Sequence, residues 1–230
     1  MMKRQQEIAT PKSATFEDKQ VTQENQSAEE KLTAKTKPPL WKRLLFSGAL
    51  TNESRPSQKI AYIAVIAAFL SVANLFEIKF ADVQFSFTVA VSALSGVILG
   101  ATFGFVASFL GDLVGFLFNS GGFAYMPWVG IALAVTAFLA GVIVGGIDLK
   151  VKGSLLIKIT ILALASFFIS TVGINTTAFW ASFNRGVPYL TYAVTRIFVG
   201  GQIYNCLVNY ALLYIIIPII AKLKIVNFNY

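Results

Sequence analysis

Long apolar stretches that carry almost no ionised side chains limit how this chain can fold more than any other feature. Residues 61–230 contain 8 Lys or Arg and 4 Asp or Glu, whereas about a quarter of the residues in an ordinary globular domain are charged. Such a composition excludes a soluble domain, and the apolar stretches are long enough to enter a bilayer. The sequence therefore indicates several membrane spans.

Six apolar segments follow residue 58, and each is a candidate transmembrane helix. They cover residues 59–76, 84–100, 103–118, 127–147, 155–172 and 192–220. The segments at 84–100 and 103–118 are shorter than the ~20 residues that a helix needs to cross the hydrocarbon core, so we expect them to be tilted or partly re-entrant. The predicted fold is an all-α membrane protein, a compact bundle of six transmembrane helices.

Basic residues are concentrated at one set of predicted helix ends, and this bias sets the orientation. With both termini in the cytoplasm, seven Lys or Arg residues flank the spans on the inside, and only Lys79 and Arg185 face the outside. An odd number of spans would place Lys222 and Lys224 on the wrong side. The charge pattern therefore predicts cytoplasmic N- and C-termini.

The chain divides into three parts by composition. Residues 1–40 are rich in Gln, Glu, Lys, Ser and Thr, and we predict that residues 1–57 form a disordered polar cytoplasmic tail. Its short amphipathic stretch at 41–46 is either a helix on the membrane surface or a linker turn. Residues 58–221 form the predicted six-helix domain, and residues 222–230 form a short cytoplasmic tail.

Missing residues and motifs exclude several functions. The chain has no His, which excludes acid–base catalysis by His and His-ligated metal sites. Its single cysteine, Cys206, cannot form an internal disulfide or a thiolate cluster. A GxxxxGK[ST] loop for ATP is absent as well. We therefore predict no catalytic residue, no metal, no cofactor and, because the basic residues flank apolar segments, no nucleic-acid partner.

Two ionised side chains, Asp112 and Arg196, lie well inside the predicted spans. A charge inside a bilayer is costly unless it is paired or hydrated, which makes such residues functional candidates. Counted at 1.5 Å per residue, they lie roughly 9 Å and 6 Å from the outer helix ends, so both can line one outer cavity. A structural ion pair between two helices is the alternative. Arg196 is the stronger site candidate, since guanidinium groups commonly bind buried carboxylates or phosphates.

Aromatic side chains are enriched at the predicted outer helix ends. An interfacial belt would enrich both faces, so the excess indicates that a flat ring system is held there. The loops at 119–126 and 173–191 are long enough to form a lid, although a solvated loop is the alternative for any single residue in them. The candidate ligand contacts are Arg196, Asp112, Tyr125, Trp128, Asn175, Thr176, Trp180, Arg185 and Tyr192.

Four motifs, taken in order, resemble a known family of transport proteins. A smooth face of small residues on the first segment, Ala61, Ala64 and Ala68, lets another helix approach closely. The other three are GVILGATFGFVASFLGDLVGFLF at 96–118, GINTTAFW at 173–180 and TRIFVGGQ at 195–202. With six spans and cytoplasmic termini, residues 58–221 resemble the S component, the substrate-binding membrane subunit, of energy-coupling factor (ECF) vitamin transporters, and most of all its folate-type branch.

The resemblance implies a multi-pass protein of a prokaryotic cell membrane that is not an enzyme. An S component binds a vitamin from outside and docks onto a membrane coupling subunit that two cytoplasmic ATPase subunits drive. By resemblance, Arg196 and the outer loops contact the ligand, and Ala61, Ala64 and Ala68 contact the coupling subunit. Folate, with a pterin ring and carboxylates, suits aromatic side chains with Arg196. Pantothenate, which is smaller and singly anionic, is the main alternative.

Two functions of other classes compete with this interpretation. A self-contained secondary transporter would need several buried carboxylates and an internal repeat, and the predicted spans offer only Asp112. A membrane enzyme is the weakest candidate, because the chain has no His and no paired-carboxylate motif.

Overall fold

The computed structural model describes residues 39–222, with gaps at residues 47, 49, 52–53, 81–82, 121–123 and 148–152. Residues 1–38 and 223–230, which make up most of the two predicted tails, lie outside the described residues. The amphipathic stretch predicted at 41–46 is described, and it belongs to a helix, α1, that spans Leu40–Phe46.

Four longer helices make up the first half of the described chain. Helix α2 spans Pro56–Leu75, α3 spans Thr88–Leu99, α4 spans Ala101–Phe118, and α5 spans Pro127–Ala140 and continues as a π-helical turn over Gly141–Gly146. Proline opens both α2 and α5, where its fixed φ suits the first helical position. The Gln58 side chain also accepts a hydrogen bond from the Arg55 backbone N–H at 3.1 Å, which closes the start of α2.

The second half contains helices that change their winding along their length. Helix α6, Ser154–Ser166, passes without a break into a π-helical segment, Phe167–Thr176, and then into α7, Thr177–Phe183. Helix α8, Tyr189–Val194, ends in a π-helical turn, Thr195–Val199. Helix α9 spans Gln202–Lys222.

Among the residues that the structure describes, five helical stretches are long and apolar enough to cross a membrane. They are Pro56–Leu75, Ala101–Phe118, Pro127–Gly146, Ser154–Phe183 and Gln202–Lys222. Helix α3 is apolar but has 12 residues, which at 1.5 Å per residue reach about 18 Å. The predicted count of six spans is therefore not confirmed, and the orientation of the termini stays a prediction.

A short β-hairpin precedes α3 and corrects the predicted start of the second span. Strands β1, Glu77–Phe80, and β2, Val83–Ser86, pair antiparallel, with Glu77 opposite Ser86. Residues 84–86, assigned to a transmembrane segment from the sequence, therefore belong to a strand. Apolar content alone did not separate a strand from a helix in this run.

Two further boundaries differ from the sequence prediction. The segment at 192–220 is not one helix, because Gly200 and Gly201 break it and Gly201 has a φ of 71° that favours glycine. Arg196 therefore lies in the π-helical turn after α8 and not in α9. The loop predicted at 173–191 is helical as far as Phe183, since the apolar run TAFWASF continues the helix.

Small residues bring the helices close together in the core. Gly100 joins α3 to α4 with a φ of 87°, and a side chain at Gly96 would run into the Ala137 backbone of α5. The buried cluster behind these contacts is built mainly from aliphatic residues of α3, α6 and α9, among them Val97, Leu162 and Leu213. These small residues thus serve internal packing.

The segment around α1 is attached to the α3–α4 junction. The Thr51 hydroxyl donates to the Leu99 carbonyl at 2.8 Å, and the Thr102 hydroxyl donates to the Leu45 carbonyl at 2.9 Å. The Phe46 and Phe103 rings pack edge to face. These contacts hold the N-terminal part of the described chain at one end of α3 and α4.

Candidate functional site

A cavity of about 170 Å³ lies between residues of α2, β2, α3, α4, α5, the π-helical segment and α9. Its lining is predominantly neutral and polar, with apolar patches from Val89, Val129 and Leu133. The polar lining side chains are the amides of Asn74, Asn175, Gln202 and Asn205, the hydroxyls of Ser86, Thr88, Thr136, Ser170 and Thr171, and the carboxylate of Asp112. Such a surface offers both hydrogen-bond donors and acceptors to a ligand.

Several of these lining residues lie near one end of their helices. Asn74 and Asp112 lie towards the C-terminal ends of α2 and α4, whereas Thr88 and Gln202 lie at the N-terminal ends of α3 and α9. The cavity is therefore next to the connections at 76–87, 119–126 and 184–201. The α3–α4 junction, which α1 covers, lies at the other end of α3.

The π-helical segment places three polar residues on the cavity wall. Ser170, Thr171 and Asn175 come from this wider winding, and the Thr176 hydroxyl donates to the Thr171 carbonyl five residues back at 2.8 Å. Within the described part of the chain, the Ser170 hydroxyl and Asn175 Oδ1 are buried without a hydrogen-bond partner. Unpaired buried polar atoms are costly, so both atoms are candidates to bind a ligand, and π-helical turns are frequent at functional sites.

Asn209 joins three elements that contribute residues to the cavity lining. It is fully buried; its Oδ1 accepts the Ala90 backbone N–H at 2.8 Å, and its Nδ2 donates to the Ser86 carbonyl at 2.7 Å. Asn205, one turn earlier, accepts the Ser86 N–H at 3.1 Å. These bonds tie β2 and α3 to α9, and they position the lining residues Ser86 and Asn205.

Asp112 lies between this cavity and a second one. The second cavity, of about 260 Å³, shares Asn74, Asp112 and Val129 with the first and extends towards Tyr125. Asp112 Oδ1 accepts a hydrogen bond from Asn74 Nδ2 at 3.3 Å, and Oδ2 accepts one from the Tyr125 hydroxyl at 3.1 Å. The buried carboxylate thus has two donors and faces both cavities.

The contact between Tyr125 and Asp112 depends on a glycine. Gly130 of α5 lies beside it, and a Cβ there would collide with the Tyr125 hydroxyl and lie 2.9 Å from Asp112 Oδ2. Burial and the nearby Asp112 carboxylate raise the pKa of Tyr125 above its ordinary value. The hydroxyl therefore stays protonated and donates to the carboxylate.

Arg196 belongs to an aromatic cluster outside the cavity lining. Its guanidinium carbon lies 4.0 Å from the centre of the Phe179 ring, and its Nη1 donates to the Tyr192 hydroxyl at 3.4 Å. Trp128 packs edge to face on Phe179 and on Phe183. Arg196 Nε and Trp128 Nε1 are buried atoms for which the residues that the structure describes supply no hydrogen-bond partner. Among the described residues, Asp112 and Arg196 do not form the ion pair that was the alternative to a site.

The other predicted contacts are distributed around this cluster. Thr176 is fully buried. Trp180 Nε1 donates to the Val187 carbonyl at 2.8 Å, and its ring packs on Tyr189. Arg185 is exposed and its Nε donates to the Ala181 carbonyl. Of the nine predicted contacts, only Asp112 and Asn175 line the first cavity, and Tyr125 lines the second.

The three alanines of the predicted docking face lie on the surface of α2. Ala61, Ala64 and Ala68 are exposed, whereas Ala67, Leu70 and Ser71 face the bundle. This helix has one packed face and one free face within the described part of the chain, and the alanines belong to the free one.

Several cavity residues were not anticipated from the sequence. Ser170, Gln202 and Asn205 line the cavity, but a neutral polar side chain in an apolar run is compatible with packing, a loop or a site. A usable signal was the pair Asn205 and Asn209, two amides one turn apart in an otherwise apolar helix. Two amides on one face need buried partners or a ligand.

The side chains that line the cavity are suited to bind a polar ligand. Among the described residues, no group of three His, Cys, Asp or Glu residues is placed to hold a metal ion. Neutral amides and hydroxyls can orient a polar ligand through hydrogen bonds.

Comparison with known families identifies the chain at the family level. Residues 56–224 match the family model described as ECF-type riboflavin transporter, S component, and no curated protein matches the chain significantly. Members of such families are multi-pass membrane proteins of prokaryotes that act as vitamin-binding transporter subunits, not as enzymes, together with an ECF module. The predicted folate-type branch is not confirmed, because the matching family is riboflavin-type. Since the match covers well over half of the chain, the protein belongs to the family of ECF-type riboflavin transporter S components.

Proposed function

We propose that this protein binds riboflavin on the outer side of the cell membrane and presents it to an ECF module for ATP-driven uptake. The observation that carries the proposal is the cavity with neutral amide and hydroxyl groups on its wall, in a chain that matches a riboflavin-type family. Riboflavin is an uncharged molecule with a flat ring system, a polar ring edge and a hydroxylated side chain. Its shape and polarity suit this wall.

The unpaired polar atoms support a hydrogen-bonded ligand. Asn175 Oδ1 and the Ser170 hydroxyl have no hydrogen-bond partner among the described residues, and they lie on the cavity wall with Asn205 and Gln202. A ring N–H or a side-chain hydroxyl of riboflavin would satisfy the Asn175 oxygen, which removes a desolvation cost of about 1–3 kcal/mol. We therefore assign Ser170, Asn175, Gln202 and Asn205 to ligand binding, with Asp112 at the edge of the site.

The charge of the cavity argues against folate and pantothenate. Both are carboxylate anions, and a buried carboxylate needs a cationic or multiple hydrogen-bond donor partner. The described lining contains no Lys or Arg, and its one ionisable acid is Asp112. Arg196, on which the folate expectation rested, stacks on Phe179. A neutral vitamin therefore fits this cavity better than an anionic one.

Access from outside follows from the predicted orientation. With both termini in the cytoplasm, the connections at 76–87, 119–126 and 184–201 face the exterior. The cavity adjoins these connections, so a ligand would enter from the outer side. The aromatic cluster around Phe179 and Trp128 also lies near the connection at 184–201 and remains a candidate for part of the entrance.

Energy for transport would come from partner subunits. The chain has no P-loop, so ATP must be hydrolysed elsewhere. The exposed face of Ala61, Ala64 and Ala68 on α2 is the proposed contact with the membrane coupling subunit, because small side chains let helices approach closely. A secondary transporter is disfavoured by the single carboxylate, Asp112, in the cavity lining.

The proposal is tested by binding measurements with a matched pair of variants. Mass spectrometry of small molecules that co-purify with the full chain should detect riboflavin, and flavin fluorescence should report its affinity. Asn175→Ala should weaken riboflavin binding by about tenfold or more, because a hydrogen bond in the site is worth about 1–3 kcal/mol.

Asn184→Ala is the control, since Asn184 lies beyond α7 and outside the cavity lining. It should leave the affinity for riboflavin unchanged. Recovery of folate or pantothenate in place of riboflavin, or equal affinities in both variants, would contradict the proposal.

A further inference from the structure

We infer that Asp112 makes this site selective for an uncharged ligand, and that it rejects the phosphate ester of the same ligand by charge repulsion. The inference rests on the proposed function, and it assigns the specificity to one residue. Flavin mononucleotide, the 5′-phosphate ester of riboflavin, is the natural probe, because it differs from riboflavin only by the phosphate.

Two hydrogen-bond donors stabilise the ionised carboxylate of Asp112 against the cost of its burial. Asn74 Nδ2 donates to one oxygen at 3.3 Å, and the Tyr125 hydroxyl donates to the other at 3.1 Å. An amide N–H₂ and a protonated tyrosine are both donors in these contacts. Donors on both oxygens favour the charged form and so offset part of the desolvation cost.

Asp112 lines both cavities. It is only 4% exposed, yet it belongs to the lining of the first cavity and to that of the second. A ligand that occupies either cavity, or extends from one into the other, comes close to this carboxylate. The position is therefore suited to sense charge on any part of the ligand.

No described lining residue compensates this charge. Neither cavity lining contains a Lys or an Arg among the residues that the structure describes. Arg196 is held against Phe179 and Tyr192. A phosphate group would therefore meet a negative charge without a cationic partner, and burial weakens the screening by water and salt.

The expected discrimination is large enough to measure. With an effective dielectric constant of about 20, two like charges several ångströms apart repel enough to shift an equilibrium by roughly thirtyfold. At 1.4 kcal/mol per tenfold change this corresponds to about 2 kcal/mol. The wild-type protein should therefore bind riboflavin at least about thirtyfold more tightly than flavin mononucleotide.

The test compares the ratio of the two dissociation constants in the full chain and in three variants. Asp112→Asn keeps the shape of the side chain but removes its charge, and it should reduce the ratio by about tenfold or more. Asp112→Ser is a smaller uncharged replacement that should act in the same direction if the asparagine variant does not fold. Asp112→Glu keeps the charge and should retain the preference for riboflavin.

The outcomes separate this inference from the proposed function. If the wild type binds both flavins equally, or if the ratio is the same in the Asn and Glu variants, the assignment to Asp112 is wrong while riboflavin binding stands. If the wild type binds neither flavin, the proposed function fails and the inference fails with it. A reduced ratio in Asp112→Asn together with a retained ratio in Asp112→Glu supports the charge mechanism.

Discussion

Asp112 and Arg196 are the two ionised residues that the sequence places inside apolar segments near the outer helix ends, and the structure gives them opposite surroundings. Asp112 is buried at the junction of two cavities and accepts hydrogen bonds from Asn74 and Tyr125. Arg196 stacks on Phe179 beside Trp128 and Tyr192, away from the cavity lining. Two ionised residues that look alike in the sequence thus contribute to two different kinds of local structure.

The difference shows that the side chains around an ionised residue in an apolar segment determine its role. A carboxylate is stabilised by donors that also leave it open to a ligand, as Asn74 and Tyr125 do for Asp112. A guanidinium can instead be accommodated by the face of an aromatic ring, as Phe179 does for Arg196. We therefore interpret the Asp112 region as part of the binding site and the Arg196 region as a brace between the π-helical turn after α8 and helix α7.

The largest effect should come from filling the space beside Asp112. In Gly130→Ala, the new Cβ would collide with the Tyr125 hydroxyl and crowd Asp112 Oδ2. Tyr125 must then leave Asp112, which removes a hydrogen bond to a charged group worth about 1.5–3 kcal/mol. We expect thermal unfolding in detergent at a lower temperature and weaker riboflavin binding by about tenfold or more.

A double-mutant cycle tests the cause of that effect. In a Tyr125→Phe background the hydrogen bond is already absent, so Gly130→Ala should cost less than it does alone. Gly186→Ala, where nothing lies within 4 Å, should change the free energy of unfolding by less than about 0.5 kcal/mol. Additive effects of the Gly130 and Tyr125 changes would show that the glycine does not act through this contact.

A smaller effect is expected from Arg196. Arg196→Gln removes the cation from the Phe179 ring and should lower the free energy of unfolding by about 1 kcal/mol, within the usual range for such contacts. The affinity for riboflavin should change by less than about threefold, because Arg196 is outside the cavity lining. Thermal unfolding and flavin fluorescence measure the two quantities.

Arg185→Gln is the matched control for Arg196. Arg185 is exposed, so its replacement should alter stability by less than about 0.5 kcal/mol. A loss of riboflavin affinity of tenfold or more in Arg196→Gln would return the guanidinium to the binding site. The contrast between a binding role for Asp112 and a packing role for Arg196 would then be wrong.

The positions of most long helices could be predicted from the sequence, because apolar runs and prolines define them directly. The predicted segment at 127–147 corresponds to Pro127–Gly146. The hairpin before α3 and the break at Gly200 and Gly201 were missed, since apolar content does not report strand pairing or a positive φ. Local backbone geometry, rather than hydrophobicity, sets these boundaries.

The candidate site could be predicted only in part, for a similar reason. Asp112 was recognisable because a charge in an apolar helix is costly. Ser170 and Gln202 were not, because neutral polar side chains carry no such signal until the π-helical segment and the start of α9 bring them to one wall. In the sequence, Arg196 is also a charge in an apolar segment. The contacts that distinguish it from Asp112, such as its contact with the Phe179 ring, are visible only in the structure.

The smallest expected effect concerns the indole nitrogen of Trp128, which is buried without a partner. Trp128→Phe keeps a ring against Phe179 and removes the unpaired N–H, so the lost contact area is offset by a smaller desolvation cost. The net change in the free energy of unfolding should be below about 0.5 kcal/mol, and riboflavin affinity should be unaltered. Trp180→Phe makes the same replacement where Nε1 donates to the Val187 carbonyl at 2.8 Å, and it should cost about 1 kcal/mol. A riboflavin affinity reduced by Trp128→Phe but not by Trp180→Phe would mean that the Trp128 N–H contacts the ligand and that the aromatic cluster is part of the site.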